Sequence, residues 1–178
     1  MACISKLSDA IAYNCDSGAT GLVSALIINK SDIASFTHDA PNTRLTGITL
    51  STGTKAYKID TVKRSLVLSE TLKVNDGAPN AYTHSASIVL TAAQSGALRA
   101  LRTALTNGSF VILARRTDGS AAAYGLYYGL SAVSSDCSSH DNGGWTTVTL
   151  ETPENVIGED TILVESNVYD VLYAAAVG

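Results

Sequence analysis

The sequence is poor in charged residues and lacks long apolar runs. Charged residues make up 16% of its 178 residues, below the quarter or so of an average soluble domain. This low charge and the 46% share of hydrophobic residues exclude a charge-dense nucleic-acid binder and a disordered chain. No apolar run approaches the roughly 18 residues of a membrane span, and no charged and apolar leader follows Met1. We therefore expect no membrane association and synthesis in a cytosol-like compartment.

Cysteine is also scarce. Cys3, Cys15 and Cys137 are an odd number of residues at unrelated spacings. They fit neither a disulfide framework nor a four-ligand zinc site, and we interpret them as free thiols.

Motifs of nucleotide binding and nucleophilic catalysis are absent. The sequence has no Gly-x-Gly-x-x-Gly or Walker-type lysine motif, and no Gly-x-Ser-x-Gly elbow. Its histidines, His38, His84 and His140, lie in three separate segments. The sequence therefore predicts a protein that is not an enzyme, with no cofactor and no small-molecule substrate.

The densest polar cluster is the segment 136–144. Cys137 and His140 have the Cys-x-x-His spacing of a metal-ligand pair, but the sequence supplies no second pair. Asp136 and Asp141 are oxygen ligands of the type calcium prefers, without the spacing of a helix–loop–helix calcium site. We interpret the segment as a solvated loop and predict no metal site, while cation binding by the Asp136–Asp141 loop stays open.

Positive charge is missing from the last third of the chain. All twelve Lys and Arg residues lie at or before Arg116, together with seven acids, whereas nine acids and no Lys or Arg follow. Opposite charges at two ends of one domain favour head-to-tail contact between subunits. The alternative is that the two parts pair within one folded chain.

Short extended segments separated by turn residues dominate the sequence. About ten such segments flank one helix, which predicts a single domain over residues 1–178. The fold class is mainly β (α+β): two packed antiparallel sheets or a partly open β-barrel with one flanking α-helix. The helix covers about residues 91–107, and the stripe formed by Leu98, Leu101 and Leu105 is predicted to pack on a sheet.

Three strand predictions bear on the site. Residues 66–74 alternate apolar and polar, with Glu70 breaking the apolar parity, which places Glu70 near an edge or in a pair. Residues 124–130 alternate bulky residues with Gly125 and Gly129, which predicts a strand with one nearly bare face. Residues 169–173 are predicted to be a strand that closes the sheet system.

Three stretches carry a resemblance to a known group of proteins. They are Met1-Ala2-Cys3 with Cys15, the segment 116–130 with its Arg-Thr-Asp-Gly turn and glycine-punctuated strand, and Asp141-Asn142-Gly143-Gly144-Trp145 leading into 146–151. They resemble virion proteins of tailed bacteriophages, in particular tail-tube-like and neck-ring proteins of crAss-like phages. The resemblance is in the order of elements over about the C-terminal two-thirds of the chain.

The resemblance implies a virion structural protein. Its subunits would form a six-fold or twelve-fold homo-oligomeric ring or tube in the tail or neck, whose inner sheets surround a channel for DNA. Its partners would be copies of itself and other tail, neck or portal proteins, with transient, non-specific passage of DNA. It would be made in the bacterial host cytoplasm and reside in the virion. The family has no catalytic residues to transfer.

The charge asymmetry then assigns two sets of residues. A channel that passes DNA must not bind it, so acids from the base-free third are expected to face the lumen. These acids are Glu151, Glu154, Glu159, Asp160 and Glu165. Basic residues are expected between subunits, and these are Lys55, Lys58, Lys63, Arg64, Arg99 and Arg102.

Two other classes of function stay open at this point. One is a β-sandwich binding module for carbohydrate or a cell-surface ligand, which exposed tyrosines or bound calcium would favour. The other is a head decoration or fibre protein. Neither requires an enzyme site.

Overall fold

The computed structural model describes residues 21–40, 43–59, 61, 65–90, 96–137 and 145–178. The side chains of residues 96–98 also lie outside this description. The strands and helices have the following bounds: β1 Leu22–Asn29, β2 Ile33–His38, β3 Arg44–Leu50, β4 Tyr57–Ile59, β5 Leu66–Lys73, β6 Ala81–Leu90, α1 Gly96–Asn107, β7 Ser109–Arg116, β8 Ala121–Tyr124, β9 Leu130–Cys137, β10 Thr146–Glu151, β11 Ile162–Val164 and α2 Ser166–Ala175.

Strand β7 is the centre of the molecule. Its residues Phe110–Ala114 form an uninterrupted buried run, as expected of a strand covered on both faces. Phe110, Ile112 and Ala114 face one hydrophobic core, whereas Val111 and Leu113 face a second. The first core is covered by α1, and the second by α2 through Tyr169.

The sheet divides at β7. One edge of β7 pairs with β1, which also pairs with β4. The other edge pairs with β8 along Ile112–Arg115 and with β9 along Ser109–Phe110. Strand β8 continues into β11, β3 and β2, which we call the β8 wing, and β9 continues into β10, β6 and β5, which we call the β9 wing.

The mainly β, α+β class predicted from the sequence is confirmed. Of the two predicted layouts, the one with two separate antiparallel sheets differs from the structure, because the eleven described strands form one hydrogen-bonded sheet. This sheet is mixed, since β11 pairs parallel with β3, and it does not close into a barrel. Two separate cores on the two faces of β7 give the layered packing that a sandwich would give with two sheets.

The segment 124–130 is not the continuous strand that its alternation predicts. It is a turn between β8 and β9 in which Gly125 and Gly129 have φ of 71° and 74°. Side chains at these positions would also collide with neighbours, because an added Cβ would lie 2.6 Å from Leu130 Cγ and 2.1 Å from Ser109 Oγ, respectively. The glycines therefore mark the point where the two wings separate.

The predicted strand 169–173 is also wrong, because this segment lies in helix α2. Tyr169 and Tyr173 stack at a centroid distance of 5.8 Å, which is the contact expected for residues four apart on a helix. Val168, Tyr169, Leu172 and Tyr173 pack on the second core. A short apolar segment fits both periodicities, and the tertiary contacts select the helix.

Helix α1 ends at Asn107 as predicted, and residues 91–95 lie outside the described part. Its predicted buried stripe is only partly correct. Leu105 is 4% exposed, whereas Leu101 is 48% exposed and borders an open groove. The side chain of Leu98 lies outside the description.

We expect the two leucines of α1 to respond differently to truncation. Leu105→Ala should lower the free energy of unfolding by about 2–5 kcal/mol, because it opens a cavity in the first core. Leu101→Ala should lower it by less than about 1 kcal/mol, because half of the side chain is already in solvent. Urea denaturation of both variants checks this, and equal losses would contradict the position of α1.

Candidate functional site

The outer face of the β9 wing carries rows of hydroxyl side chains. Directly opposite residues in paired strands project to the same side of a sheet, and the opposite side of this wing holds buried residues such as Ala86, Val148 and Leu150. We call the outer side the hydroxyl face. Its members are Val67, Ser69, Thr71, Thr83, Ser85, Ser87, Val89, Ser131, Ser134, Asp136, Thr147, Thr149 and Glu151.

The rows run across all four strands of the wing. One row is Ser131, Glu151, Ser85 and Ser69, and the next is Ser134, Thr149, Ser87 and Val67. Neighbouring strands lie about 4.8 Å apart, and residues two apart on one strand lie about 6.7 Å apart. Helix α1 packs on β9 and β10 from the core side, where Arg102 donates to Ser135 Oγ at 2.8 Å. Among the described residues, no helix packs on the hydroxyl face, and its members on β6 and β10 are half-buried.

The charges on the hydroxyl face are acidic. Glu151 lies within it and accepts a hydrogen bond from Ser85 Oγ at 3.3 Å, while Asp136 is exposed at its border. Lys73 lies two residues after Thr71 and therefore on the same side of β5. Its ammonium group donates to the carbonyls of Glu154 and Val156 at 3.2 and 2.6 Å, at the end of the hairpin. Among the described residues, the face is thus neutral to negative.

The five acids expected to face a lumen do not form one group. Glu151 lies on the hydroxyl face, whereas Glu154 and Asp160 are exposed in the connection from β10 to β11. Glu165 is half-buried and precedes α2, in the β8 wing. Sequence order placed them in one acidic third, but the sheet distributes them over both wings.

Glu159 does not face solvent, so its assignment to a lumen wall is wrong. The residue is 6% exposed. One carboxylate oxygen, Oε2, accepts the backbone N–H of Tyr127 at 2.7 Å, and the backbone N–H of Tyr128 donates to the same carboxylate. Glu159 therefore holds the turn that separates β8 from β9.

His84 lies beside Glu159 and holds the same turn from β6. The backbone N–H of Gly125 donates to His84 Nδ1 at 3.0 Å, so the proton of the neutral ring lies on Nε2. Nε2 lies 3.1 Å from Thr161 Oγ1 and 3.8 Å from Glu70 Oε1, and Glu70 also accepts the N–H of Thr161 at 3.0 Å. The prediction that Glu70 lies near an edge or in a pair is thus confirmed, because β5 is the last strand of the described sheet order and Glu70 accepts this hydrogen bond.

Burial dominates the protonation states of this cluster. It lowers the pKa of His84, against Glu70 and Asp160, which raise it. It raises the pKa of Glu159, against the two backbone N–H groups and Lys30, which lower it. Glu159 Oε1 lies 3.9 Å from His84 Nδ1. Because His84 is neutral at pH 7, this contact is not an ion pair.

Lys30 completes the cluster from the other side of the turn. Its ammonium group donates to the carbonyl of Leu126 at 2.6 Å, and burial lowers its pKa against the attraction of Glu159. Side chains from three separate parts of the chain therefore hold the turn, namely Lys30, His84 and Glu159, and Glu70 contacts His84 from a fourth part. His84 and Glu159 are 1% and 6% exposed, so their side chains are not accessible to a substrate. Their arrangement supports a structural role.

The basic residues predicted to lie between subunits are found at the surface where they are described. Lys55 and Lys58 are exposed, and the Lys58 ammonium lies 4.7 Å from the centroid of the Tyr173 ring. Arg99 and Arg102 are exposed on α1. Lys63 and Arg64 lie outside the described residues.

The two oppositely charged parts of the chain meet at one ion pair in the described part. Arg115 Nη1 lies 2.7 Å from Asp170 Oδ1, and the guanidinium group lies over the Tyr169 ring at 4.5 Å. This contact fastens α2 to β7. The exposed Lys58, Arg99 and Arg102 make no ion pair of this kind among the described residues, so internal pairing accounts for only part of the asymmetry.

No group of three or more His, Cys, Asp and Glu residues that could hold a metal ion occurs in the part of the chain that is described. Asp136 ends up exposed in β9, and Asp141 lies outside that part, so the prediction about cation binding by this loop stays a prediction. Within the same part, none of the helices has the length and apolar character needed to cross a membrane.

Comparison of the chain with protein-family models, with curated proteins and with solved structures gives no match. The candidate site therefore has to be interpreted from its own geometry.

Proposed function

We propose that this chain is a non-enzymatic virion subunit of a tailed bacteriophage, which forms a homo-oligomeric ring or tube in the tail or neck that conducts DNA. The hydroxyl face is the observation that carries the proposal. In the assembly, the β9 wing forms the wall of the channel, with the hydroxyl face toward the DNA.

A channel wall of this composition has little or no affinity for the phosphate backbone of DNA. Proteins bind DNA mainly by neutralising phosphates with Lys and Arg, which releases counterions. The hydroxyl face offers Ser and Thr side chains that hydrate readily, together with the carboxylates of Glu151 and Asp136. DNA near such a wall is held by no ion pairs and can slide.

The two ends of the sheet supply the means of assembly. Within the described residues, β2 pairs only with β3, and β5 pairs only with β6. Each therefore presents a free row of backbone N–H and C=O groups, which is a template for pairing with another chain. A sheet that has one free edge on each wing can continue from subunit to subunit around a six-fold or twelve-fold ring.

A binding module for carbohydrate or a cell-surface ligand is the second candidate. Tyr127 and Tyr128 are 43% and 41% exposed beside each other in the turn, and exposed aromatic rings can stack on sugars. Tyr127 is already engaged, because its hydroxyl lies 3.0 Å from His38 Nε2 and its ring packs edge-on against Phe36. The hydroxyl face has no role in this alternative, which is why we prefer the conduit.

The test is the assembly state of the purified full chain and its affinity for DNA. We expect rings in negative-stain images and a concentration-dependent rise in mass by light scattering. The same rings should not retain duplex DNA at about 0.15 M ionic strength. A monomer at high concentration, also in the presence of other tail and neck proteins, would overturn the proposal. Tight DNA binding at that ionic strength would overturn it as well.

A further inference from the structure

Exposed apolar side chains surround the turn end of the β5–β6 hairpin. Leu72 and Tyr82 lie opposite each other in the hairpin, Val74 follows β5, and Ile157 comes from the connection between β10 and β11. Their exposed fractions are 52%, 38%, 70% and 52%, respectively. We call these four residues the apolar knob. Exposed apolar side chains grouped at one end of a hairpin are typical of contact sites.

The apolar knob is held in place by hydrogen bonds between the hairpin and the 154–159 segment. Lys73 donates to the carbonyls of Glu154 and Val156, and Asn75 Nδ2 donates to the carbonyl of Ile157 at 3.3 Å. The backbone of Gly158 passes so close to Tyr82 that an added Cβ would lie 2.5 Å from the Tyr82 carbonyl oxygen. A partner that binds here would therefore meet a surface that is already ordered, which lowers the entropic cost of association.

A complementary apolar groove lies elsewhere on the molecule. It has a volume of about 670 Å³ and opens between β1, β4, β6 and α1. We call it the α1 groove. Its apolar lining includes Ile27, Ile59, Leu90, Leu101, Leu105 and Phe110. The half-exposed Leu101 projects at this groove, which explains why the predicted stripe of α1 is not fully buried.

The apolar knob and the α1 groove cannot meet within one chain. Both are connected to β6, because Tyr82 belongs to the knob and Ile88, Val89 and Leu90 line the groove. Tyr82 and Leu90 lie eight residues apart on an extended strand, which separates them by about 26 Å. A knob at one end of β6 and a groove at the other form a heterologous pair, which joins copies head to tail.

The charges around the two surfaces are complementary. The exposed acids Asp76, Glu154 and Asp160 lie within a few residues of the apolar knob in the chain, and the ammonium group of Lys73 is held beside it by the carbonyls of Glu154 and Val156. Lys58 lines the α1 groove, whereas Arg99 and Arg102 lie on another face of α1, where they border a second pocket with Ser135. Opposite potentials on two contacting surfaces orient the partners and raise the rate of association.

We propose that the apolar knob of one copy docks in the α1 groove of the next copy. The proposal rests on the homo-oligomer proposed above and adds a contact between side chains of neighbouring copies to the pairing of the β2 and β5 edges. In this contact, Glu154 and Asp160 of the last third of the chain would approach Lys58 of the first two-thirds.

A photocrosslinking amino acid placed at Leu101 of the full chain tests the occupant of the α1 groove. In a mixture of isotope-labelled and unlabelled protein, we expect crosslinks from position 101 of one copy to residues 72–82 or 157 of another. Crosslinks only to residues 1–20 of the same chain would overturn the proposal, as would crosslinks to another surface of the neighbour. If rings form in either case, the proposed function still stands. Absence of any assembly would overturn both.

Two valine variants provide a matched test. Val74 and Val171 are both 70% exposed, and only Val74 belongs to the apolar knob. Val74→Asp should raise the concentration needed for assembly by about tenfold or more, since it places a carboxylate in an apolar contact. Val171→Asp, on α2, should leave assembly unchanged, and both variants should keep the wild-type melting temperature. Equal assembly of the two variants would overturn the proposed contact.

Discussion

Replacing Glu159 with alanine is expected to destabilise the fold strongly. The substitution leaves the backbone N–H groups of Tyr127 and Tyr128 without their acceptor. A donor that is shielded from water and loses its acceptor costs about 1–3 kcal/mol, and the hydrogen bond from Tyr127 is partly buried. Because these donors hold the turn that separates β8 from β9, the loss should also loosen the start of both wings.

Glu159→Gln is the matched control for this loss. Glutamine keeps a carbonyl oxygen for the turn and removes the buried charge. Its amide nitrogen can take the place of Oε1, which accepts no hydrogen bond among the described residues. We therefore expect the glutamine variant to retain most of the stability that the alanine variant loses.

The two variants also separate the contributions of Glu159 and His84 to pH dependence. Burial raises the pKa of Glu159 above its ordinary 4.5, so the folded state binds more protons between 4.5 and the raised value. The stability from this group therefore falls as pH rises through that window. Burial lowers the pKa of His84 below 6.5, so the stability from His84 is lost as pH falls from 6.5 toward its lowered value.

Glu159→Gln removes only the first of these effects. The free energy of unfolding of the variant minus that of wild type should be more positive at pH 7.5 than at pH 4.5, which means that the variant gains stability relative to wild type as pH rises. Urea denaturation at both pH values checks this. A difference between variant and wild type that is the same at both values would contradict a buried, proton-sensitive Glu159.

Lysine substitutions on the hydroxyl face are expected to make the ring, which otherwise does not bind DNA, retain duplex DNA. Ser87 and Thr149 lie opposite each other in the middle of the face. Ser87→Lys with Thr149→Lys places two ammonium groups per subunit on the proposed wall, repeated around the ring. Each phosphate contact adds about −0.9 to the slope of log affinity against log salt concentration for duplex DNA, so retention should be strong at low salt and lost steeply as salt rises.

A second serine–threonine pair serves as the control. Ser35 and Thr49 lie opposite each other in β2 and β3 of the other wing. Ser35→Lys with Thr49→Lys adds the same charge and the same lysine–lysine repulsion, and we expect no retention from it. Equal retention by both double variants would contradict the assignment of the hydroxyl face to the channel. This design avoids Glu159, because a lysine there would be buried against His84 and would unfold the turn.

Local patterns predicted the elements whose character is set by neighbours in sequence. The periodicity predicted a helix that ends at about residue 107, and α1 ends at Asn107. The misplaced parity of Glu70 indicated an acid near an edge or in a pair, although its partners His84 and Thr161 were not identifiable. In each case the signal lies within a few residues of the feature that it predicts.

The sequence did not predict the turn at 124–130, because the residues that stabilise this turn are distant from it in the chain. Alternating glycine and tyrosine residues suit a strand, but Lys30, His84 and Glu159 contact the turn from three other parts of the chain. Their hydrogen bonds to backbone groups of the turn stabilise it over the extended alternative. The position of Glu159 beside Gly158 was the one local hint, because Gly158 allows the backbone to pass close to Tyr82.

The sequence by itself determined the mainly β class, the single predicted domain, the low charge and the separation of bases from acids. These properties depend on composition and on periodicity, which act over a few residues. Only the tertiary structure decided which hydroxyls share a face, which acid is buried, and that a knob and a groove lie at opposite ends of β6. These features arise from pairing between strands far apart in the chain, whose register follows from burial of the two cores rather than from any local pattern.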